Sequence, residues 1–244
     1  RMAAVGLAAL VLIASFYYVF FADSWFDETE FAYKGWLTSE GRATPFLDFG
    51  LKHPPVSFYG QVFLQGLFGP SLLAARFLSL FFFLGLLLLL FDVVRRNAGR
   101  SLALFAVALL ALHPFIIGKM VSAVPYSMVG FFGMLSVWFL FVRVRPAWVV
   151  VFSSVAMAAA ILSRYNILPL LPLLWLLVFF RFKRWNLFFL SIAASVGALG
   201  VMWAPFALLD FEYALSYAAI MFGPFAKLLP LEFFDAGEVS SVSG

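Results

Sequence analysis

The sequence predicts an all-α fold: a polytopic transmembrane helical bundle of about seven spans, with a large first extracytoplasmic loop that contains short interfacial helices. Three observations predict it. The chain is 65% hydrophobic and only 11% charged, where a soluble domain is about half apolar and about a quarter charged. The apolar excess is gathered into blocks, most of which approach the roughly 20 residues that a helix needs to cross the hydrocarbon core. Basic and acidic residues then fall on opposite sides of those blocks.

The spans are placed at roughly 2–22, 71–94, 101–118, 124–142, 147–163, 166–180 and 187–204. The sixth is short and holds Pro169 and Pro172, so a kink or tilt is expected there. Basic clusters mark cytoplasmic ends. Arg95, Arg96 and Arg100 lie between spans two and three, Arg143 and Arg145 between four and five, and Arg181, Lys183 and Arg184 between six and seven. By parity all three loops share a side with Arg1, so the N-terminus is read as cytoplasmic. Eleven of the twelve acidic residues then lie outside, and only Asp92 inside. The first residue is Arg and the chain stops at Val-Ser-Gly, which is read as a fragment cut at both ends. Residues 1–244 are expected to form one transmembrane domain, with 23–70 as its first external loop and 205–244 as an external C-terminal segment. Cysteine is absent, which removes disulfides and cysteine-bearing zinc sites. The +4 charge is explained by the loop arginines. No basic run carries interleaved polar residues, so nucleic acid is not a partner.

Six of the twelve acidic residues sit in the first external loop: Asp23, Asp27, Glu28, Glu30, Glu40 and Asp48. Segregation of charge explains their side of the membrane but not their crowding. Residues 27–34 have helical propensity, with Asp27, Glu30 and Lys34 on one face and Glu28 pointing elsewhere. Gly35 and Gly41 are expected to break that segment, and Pro45 to force an extended stretch. Residues 57–69 read as a second helix, lying in the interface, with Ser57, Gln61 and Gln65 as its polar stripe. His113, beside Pro114, reads as a packed residue at a kink. Trp25, Trp36 and Trp203 fit an aromatic belt.

The ordered set Asp27-Glu28, Gly41, Pro54-Pro55-Val56, Phe68-Gly69 and Arg76 resembles the signature of membrane glycosyltransferases with the GT-C fold, of the protein mannosyltransferase and aminoarabinose transferase type. The motif resemblance covers roughly residues 20–85; the remaining spans match only as generic membrane helices. It implies an inverting glycosyltransferase that moves a sugar from a polyprenyl-phosphate-linked donor to a lipid, glycan or protein acceptor. The lipid tail would stay in the bilayer, and transfer would occur at the outer face of a membrane, expected to be a bacterial inner (plasma) membrane. By resemblance Asp27 is the base for the acceptor hydroxyl; a carboxylate is ionised at neutral pH, as a base must be. Glu28 or Glu30 would orient acceptor or sugar hydroxyls, and Tyr33 is a further candidate for substrate contact. Transfer also needs cations for the departing phosphate. Lys52 and His53 are the first candidates. In some relatives a Lys immediately precedes Pro-Pro; here that position is His53, and which of the two meets the phosphate stays open. Arg164, at the outer end of span five, and Arg76, near the outer end of span two, follow, since an arginine amid apolar spans is costly unless paired or wetted. Many relatives carry an acid in the next external loop. This chain has Lys119-Met-Val-Ser122-Ala-Val-Pro125-Tyr126 instead: either that role is absent, or Ser122 or Tyr126 supplies a weaker polar contact. No metal ligand is assigned. A divalent cation held by Asp27, Glu28 and Asp48 is left open.

Two other function classes compete. A non-catalytic binder or transporter of lipid-linked sugar would need polar residues buried along its spans, and these spans hold few. A structural membrane subunit would not depend on the loop carboxylates.

Overall fold

The computed structural model describes residues 2–24, 26–45, 48, 55–142 and 145–209. Lys52, His53, Trp25 and the acidic residues from Asp210 onward lie outside the described residues. The chain divides into two compact units, Arg1–Met202 and Trp203–Gly244, and every residue of the site built below belongs to the first. The described residues form α-helices and one 3-10 turn, with no β-strand among them: α1 (Met2–Phe21), α2 (Phe26–Ser39), α3 (Pro55–Phe68), α4 (Leu72–Ala98), α5 (Arg100–Ala111), α6 (Pro114–Val121), α7 (Tyr126–Phe139), α8 (Pro146–Ile161), the 3-10 turn Tyr165–Ile167, α9 (Leu170–Phe182) and α10 (Trp185–Leu209).

Every apolar block of the sequence is helical, but the blocks differ in reach. Among the described residues three helices are long and apolar enough to cross a membrane, at Ala4–Phe21, Leu72–Ala98 and Trp185–Ala204; α5 and α6 make a fourth if taken as one span bent by 73°. The helices α7, α8 and α9 have 14, 16 and 13 residues. At about 1.5 Å per residue they fall short of a core about 30 Å thick. The bend between α5 and α6 falls at His113-Pro114. Proline has no N–H to continue α5 but is well placed to start α6, and it is the first residue of α6. His113 is exposed rather than packed. Prolines act the same way before α9. Pro169 is its N-cap and Pro172 sits in its first turn, where no intrahelical donor is lost, so they begin the helix instead of kinking it.

The 27-residue α4 is the central element, packing against α1, α3, α5, α6 and α7. Its buried residues Arg76, Ser79, Leu80, Phe83, Leu86 and Leu87 recur at the three-to-four spacing of one helix face. Ser71 caps its start by accepting from Ala74 N–H at 3.2 Å. Gly99, at φ 88°, ends it and opens α5, a conformation that side chains beyond glycine rarely adopt. At the α4 C-terminus the carboxylate of Asp92 meets Arg95 (2.7 Å) and Arg96 (2.6 Å) and accepts from Trp138 Nε1 of α7 (2.9 Å). Two adjacent serines of α8 bond in opposite directions: Ser153 to Ser136 of α7 and Ser154 to Ser191 of α10.

Gly35 does not break α2, which runs on to Ser39. Its missing side chain instead lets α3 approach: a Cβ there would sit 3.2 Å from Gln61 Cβ and 3.4 Å from backbone atoms of α3. Gly35→Val should therefore wedge the pair apart and lower stability by about 1–3 kcal/mol, read as a drop in thermal unfolding temperature in detergent. Gly41, at φ 66°, does end the segment as expected.

Candidate functional site

The acidic pair opens α2. Carboxylates in the first turn suit the positive end of the helix dipole, and Asp27 and Glu28 both occupy it. Consecutive helical residues point in different directions, and here the split is complete. Asp27 is exposed, while Glu28 is fully buried.

Glu28 reaches inward to Arg76 of α4, itself only 5% exposed. Arg76 Nη2 donates to Glu28 Oε2 at 2.9 Å and Nε to Oε1 at 3.2 Å. The backbone N–H of Ala123, in the turn between α6 and α7, also donates to Oε1, at 2.6 Å. The remaining Arg76 protons go to the end of α1: Nη1 to Val19 O (3.1 Å) and Ala22 O (2.9 Å), and Nη2 to Asp23 O (3.1 Å).

Asp27 faces a small polar cavity of about 60 Å³ that it shares with Glu28, Lys119, Ser122, Tyr126 and Arg164. The Arg164 guanidinium lies over the Tyr126 ring, 4.3 Å from its centroid, and Lys119 Nζ stands 6.0 Å from the same centroid. Stacking of this kind fixes a guanidinium without consuming its edge donors. A second, more apolar cavity of about 280 Å³ lies against the first. Tyr18, Ala22, Arg76 and Phe115 contribute to it, and Glu28, Lys119 and Ser122 line both.

The second loop helix docks beside this site. Its first turn meets the residues that follow α8: Val56 N–H bonds Leu162 O at 3.0 Å and Ser57 Oγ bonds Ser163 O at 3.3 Å. Helix ends leave such groups orphaned, so pairing one end with another sets the start of α3 beside the residue preceding Arg164. The polar stripe expected on α3 is present, but it faces the protein. Ser57, Gln61 and Gln65 are all buried, and Tyr59, Phe63 and Leu67 are exposed. Gln65 closes the turn into α4, donating to Ser71 O at 3.0 Å and accepting from Ser71 N–H at 2.8 Å.

Of the sequence candidates, the structure brings Asp27, Glu28, Arg76 and Arg164 together. Glu30 accepts from Lys34 at 2.6 Å, and Tyr33 is exposed with its ring 5.8 Å from that of Trp36; neither lines the two cavities. Asp48 accepts from Thr44 N–H at 2.6 Å and so closes a turn. Among the described residues no three His, Cys, Asp or Glu side chains converge as metal ligands would. Lys119 is the residue that sequence reasoning missed as a site candidate. Its signal was the one that marked Arg164: a cation at the outer end of an apolar block. Ser122 and Tyr126, offered as substitutes for the missing acid, do line the small cavity.

A family model described as dolichyl-phosphate-mannose-protein mannosyltransferase matches residues 52–208. The matched stretch contains Arg76, Lys119, Tyr126 and Arg164 and begins after Asp27-Glu28. No curated protein and no solved structure gives a significant match.

Proposed function

Because this chain belongs to the dolichyl-phosphate-mannose-protein mannosyltransferase family, whose members are membrane glycosyltransferases using lipid-linked sugar donors, we propose that it carries out sugar transfer in the cavity that Asp27 shares with Lys119 and Arg164. The donor is a sugar on a polyprenyl phosphate, and the acceptor offers a hydroxyl at the outer face of the membrane. Asp27 takes the proton of that hydroxyl. The oxygen attacks the anomeric carbon from the face opposite the phosphate, the sugar–phosphate C–O bond breaks, and polyprenyl phosphate leaves with the bonding electrons. The configuration inverts.

The observation that carries this reading is the pairing of unlike charges around one small cavity. A base alone explains Asp27, and cations alone would suit any anion. A carboxylate within one cavity of an arginine and a lysine matches a reaction that loses a proton at one end and releases a phosphate at the other. Arg164 is held by Tyr126, so its edge donors are aimed before substrate arrives. Lys52 and His53 keep their proposed part as further phosphate contacts, on resemblance.

The test is transfer of a radiolabelled sugar from polyprenyl phosphate by the full-length enzyme in proteoliposomes. Removing one preorganised donor to a developing anion costs about 10²–10³-fold in turnover. Arg164→Ala should fall in that range, and Lys119→Ala should lose at least about tenfold. Unchanged turnover in both would remove this cavity as the place where phosphate departs.

A further inference from the structure

We propose that Glu28 is a positioning residue, joined to Arg76 and Ala123 in a buried bridge that sets Asp27 against the cationic wall; its catalytic readout rests on the reading of Asp27 as base. The family pattern pairs Asp27 with Glu28 as two acids side by side. In the structure they do different things. Glu28 is fully buried, and both its oxygens are taken, Oε2 by Arg76 and Oε1 by Arg76 and Ala123 N–H.

Arg76 makes the bridge more than an ion pair. A guanidinium carries five N–H donors in a fixed fork, and five bonds are made: two to Glu28 and one each to Val19 O, Ala22 O and Asp23 O. Those carbonyls belong to the last turn of α1 and the residues just after it, where helical acceptors are left without partners and favour a cation. One side chain from α4 thus ties together the end of α1, the start of α2 and, through Glu28, the turn that follows α6. Asp27 is the residue before Glu28. Lys119 and Ser122 lie on α6 and its C-cap, four and one residues before Ala123. The bridge therefore spans the two walls of the Asp27 cavity, and its length sets the gap between base and cation. Misplacing a reacting group by about 1 Å costs about 10²-fold in rate.

The bridge has an accessible flank, since Arg76 and Glu28 line the cavity of about 280 Å³. That permits a chemical test on the full-length enzyme in proteoliposomes. Arg76→Ala should lower kcat about 10²-fold with little change in KM. Millimolar methylguanidinium should restore at least tenfold of this and raise the unfolding temperature of the variant. Methylammonium, with no planar fork, should do neither. Adding Glu28→Gln to Arg76→Ala should abolish both effects. Where Arg76→Ala does not accumulate as folded protein, Glu28→Asp serves: it keeps the charge, shortens the reach by one methylene, and should cost about tenfold in kcat at unchanged KM. Glu28→Asp at the wild-type rate, or Arg76→Ala that is folded and indifferent to methylguanidinium, overturns the bridge. The thermal readout does not depend on chemistry. A methylguanidinium-dependent rise in unfolding temperature, together with full turnover by Asp27→Asn, would uphold the bridge and reject Asp27 as base.

Discussion

Asp27→Asn should lower sugar transfer by about 10²–10⁴-fold, the range over which a positioned general base contributes, or about 3–5 kcal/mol of barrier. The amide is nearly the same size and still offers an oxygen, but it cannot take the acceptor proton. Asp27 is exposed and lies at a helix start that tolerates polar side chains, so the fold should not change. The loss should appear in kcat, because the base acts only as the acceptor oxygen attacks. Donor binding, measured by displacement of a labelled polyprenyl phosphate, should stay within about twofold of wild type. That combination separates a base from a donor ligand. Weakened donor binding at undiminished kcat would reassign Asp27 to substrate contact, and full activity would remove it from the reaction.

The contrast between Asp27 and Glu28 also measures what the sequence made legible. Adjacent acids after an apolar block mark a place, and helical spacing says that the two must diverge. Only the partners decide which one turns inward. Arg76 and Ala123 are 48 and 95 residues from Glu28, and one of them acts through a backbone N–H that has no signature in sequence. The stripe on α3 teaches a related lesson. Ser57, Gln61 and Gln65 were readable as one face from their spacing, but spacing carries no sign. Where the surroundings are apolar, polar groups turn toward the protein: Ser57 and Gln65 find partners at Ser163 O and Ser71, and all three stripe residues are buried while Tyr59 and Phe63 are outside. Gly35 carries the same ambiguity, since a glycine that ends a helix and a glycine that admits a neighbour look alike until the neighbour is in place. Arg164 was found because an arginine beside an apolar block is expensive and demands a reason. Lys119 meets the same condition, at the outer end of an apolar block. At Lys52 and His53, outside the described residues, resemblance alone speaks.

Exchanging the buried pair, Glu28→Arg with Arg76→Glu, should not restore the protein, and this distinguishes the bridge from an ordinary ion pair. Removing one partner of a buried pair costs about 3–5 kcal/mol, because the other charge is left uncompensated. That is a large share of the roughly 5–15 kcal/mol by which folded domains are stable. For a simple pair, the exchange would return most of the loss. Here the environment is itself polarised. Val19 O, Ala22 O and Asp23 O all point at position 76, and Ala123 N–H points at position 28. After exchange a carboxylate would face three carbonyl oxygens, and a guanidinium would face an N–H donor. Four hydrogen bonds would be lost and each replaced by like-with-like contact, where a bond to a charged group is worth about 1.5–3 kcal/mol. The expected order of unfolding temperatures in detergent is wild type, then Arg76→Lys, then Arg76→Ala, with the exchanged protein no higher than Arg76→Ala. Lysine holds its intermediate place because its three donors can serve Glu28 and some of the carbonyls but not all five acceptor positions at once. An exchanged protein that unfolds near the wild-type temperature would mean that the carbonyls of α1 contribute nothing, and that the charge pair alone holds these segments together.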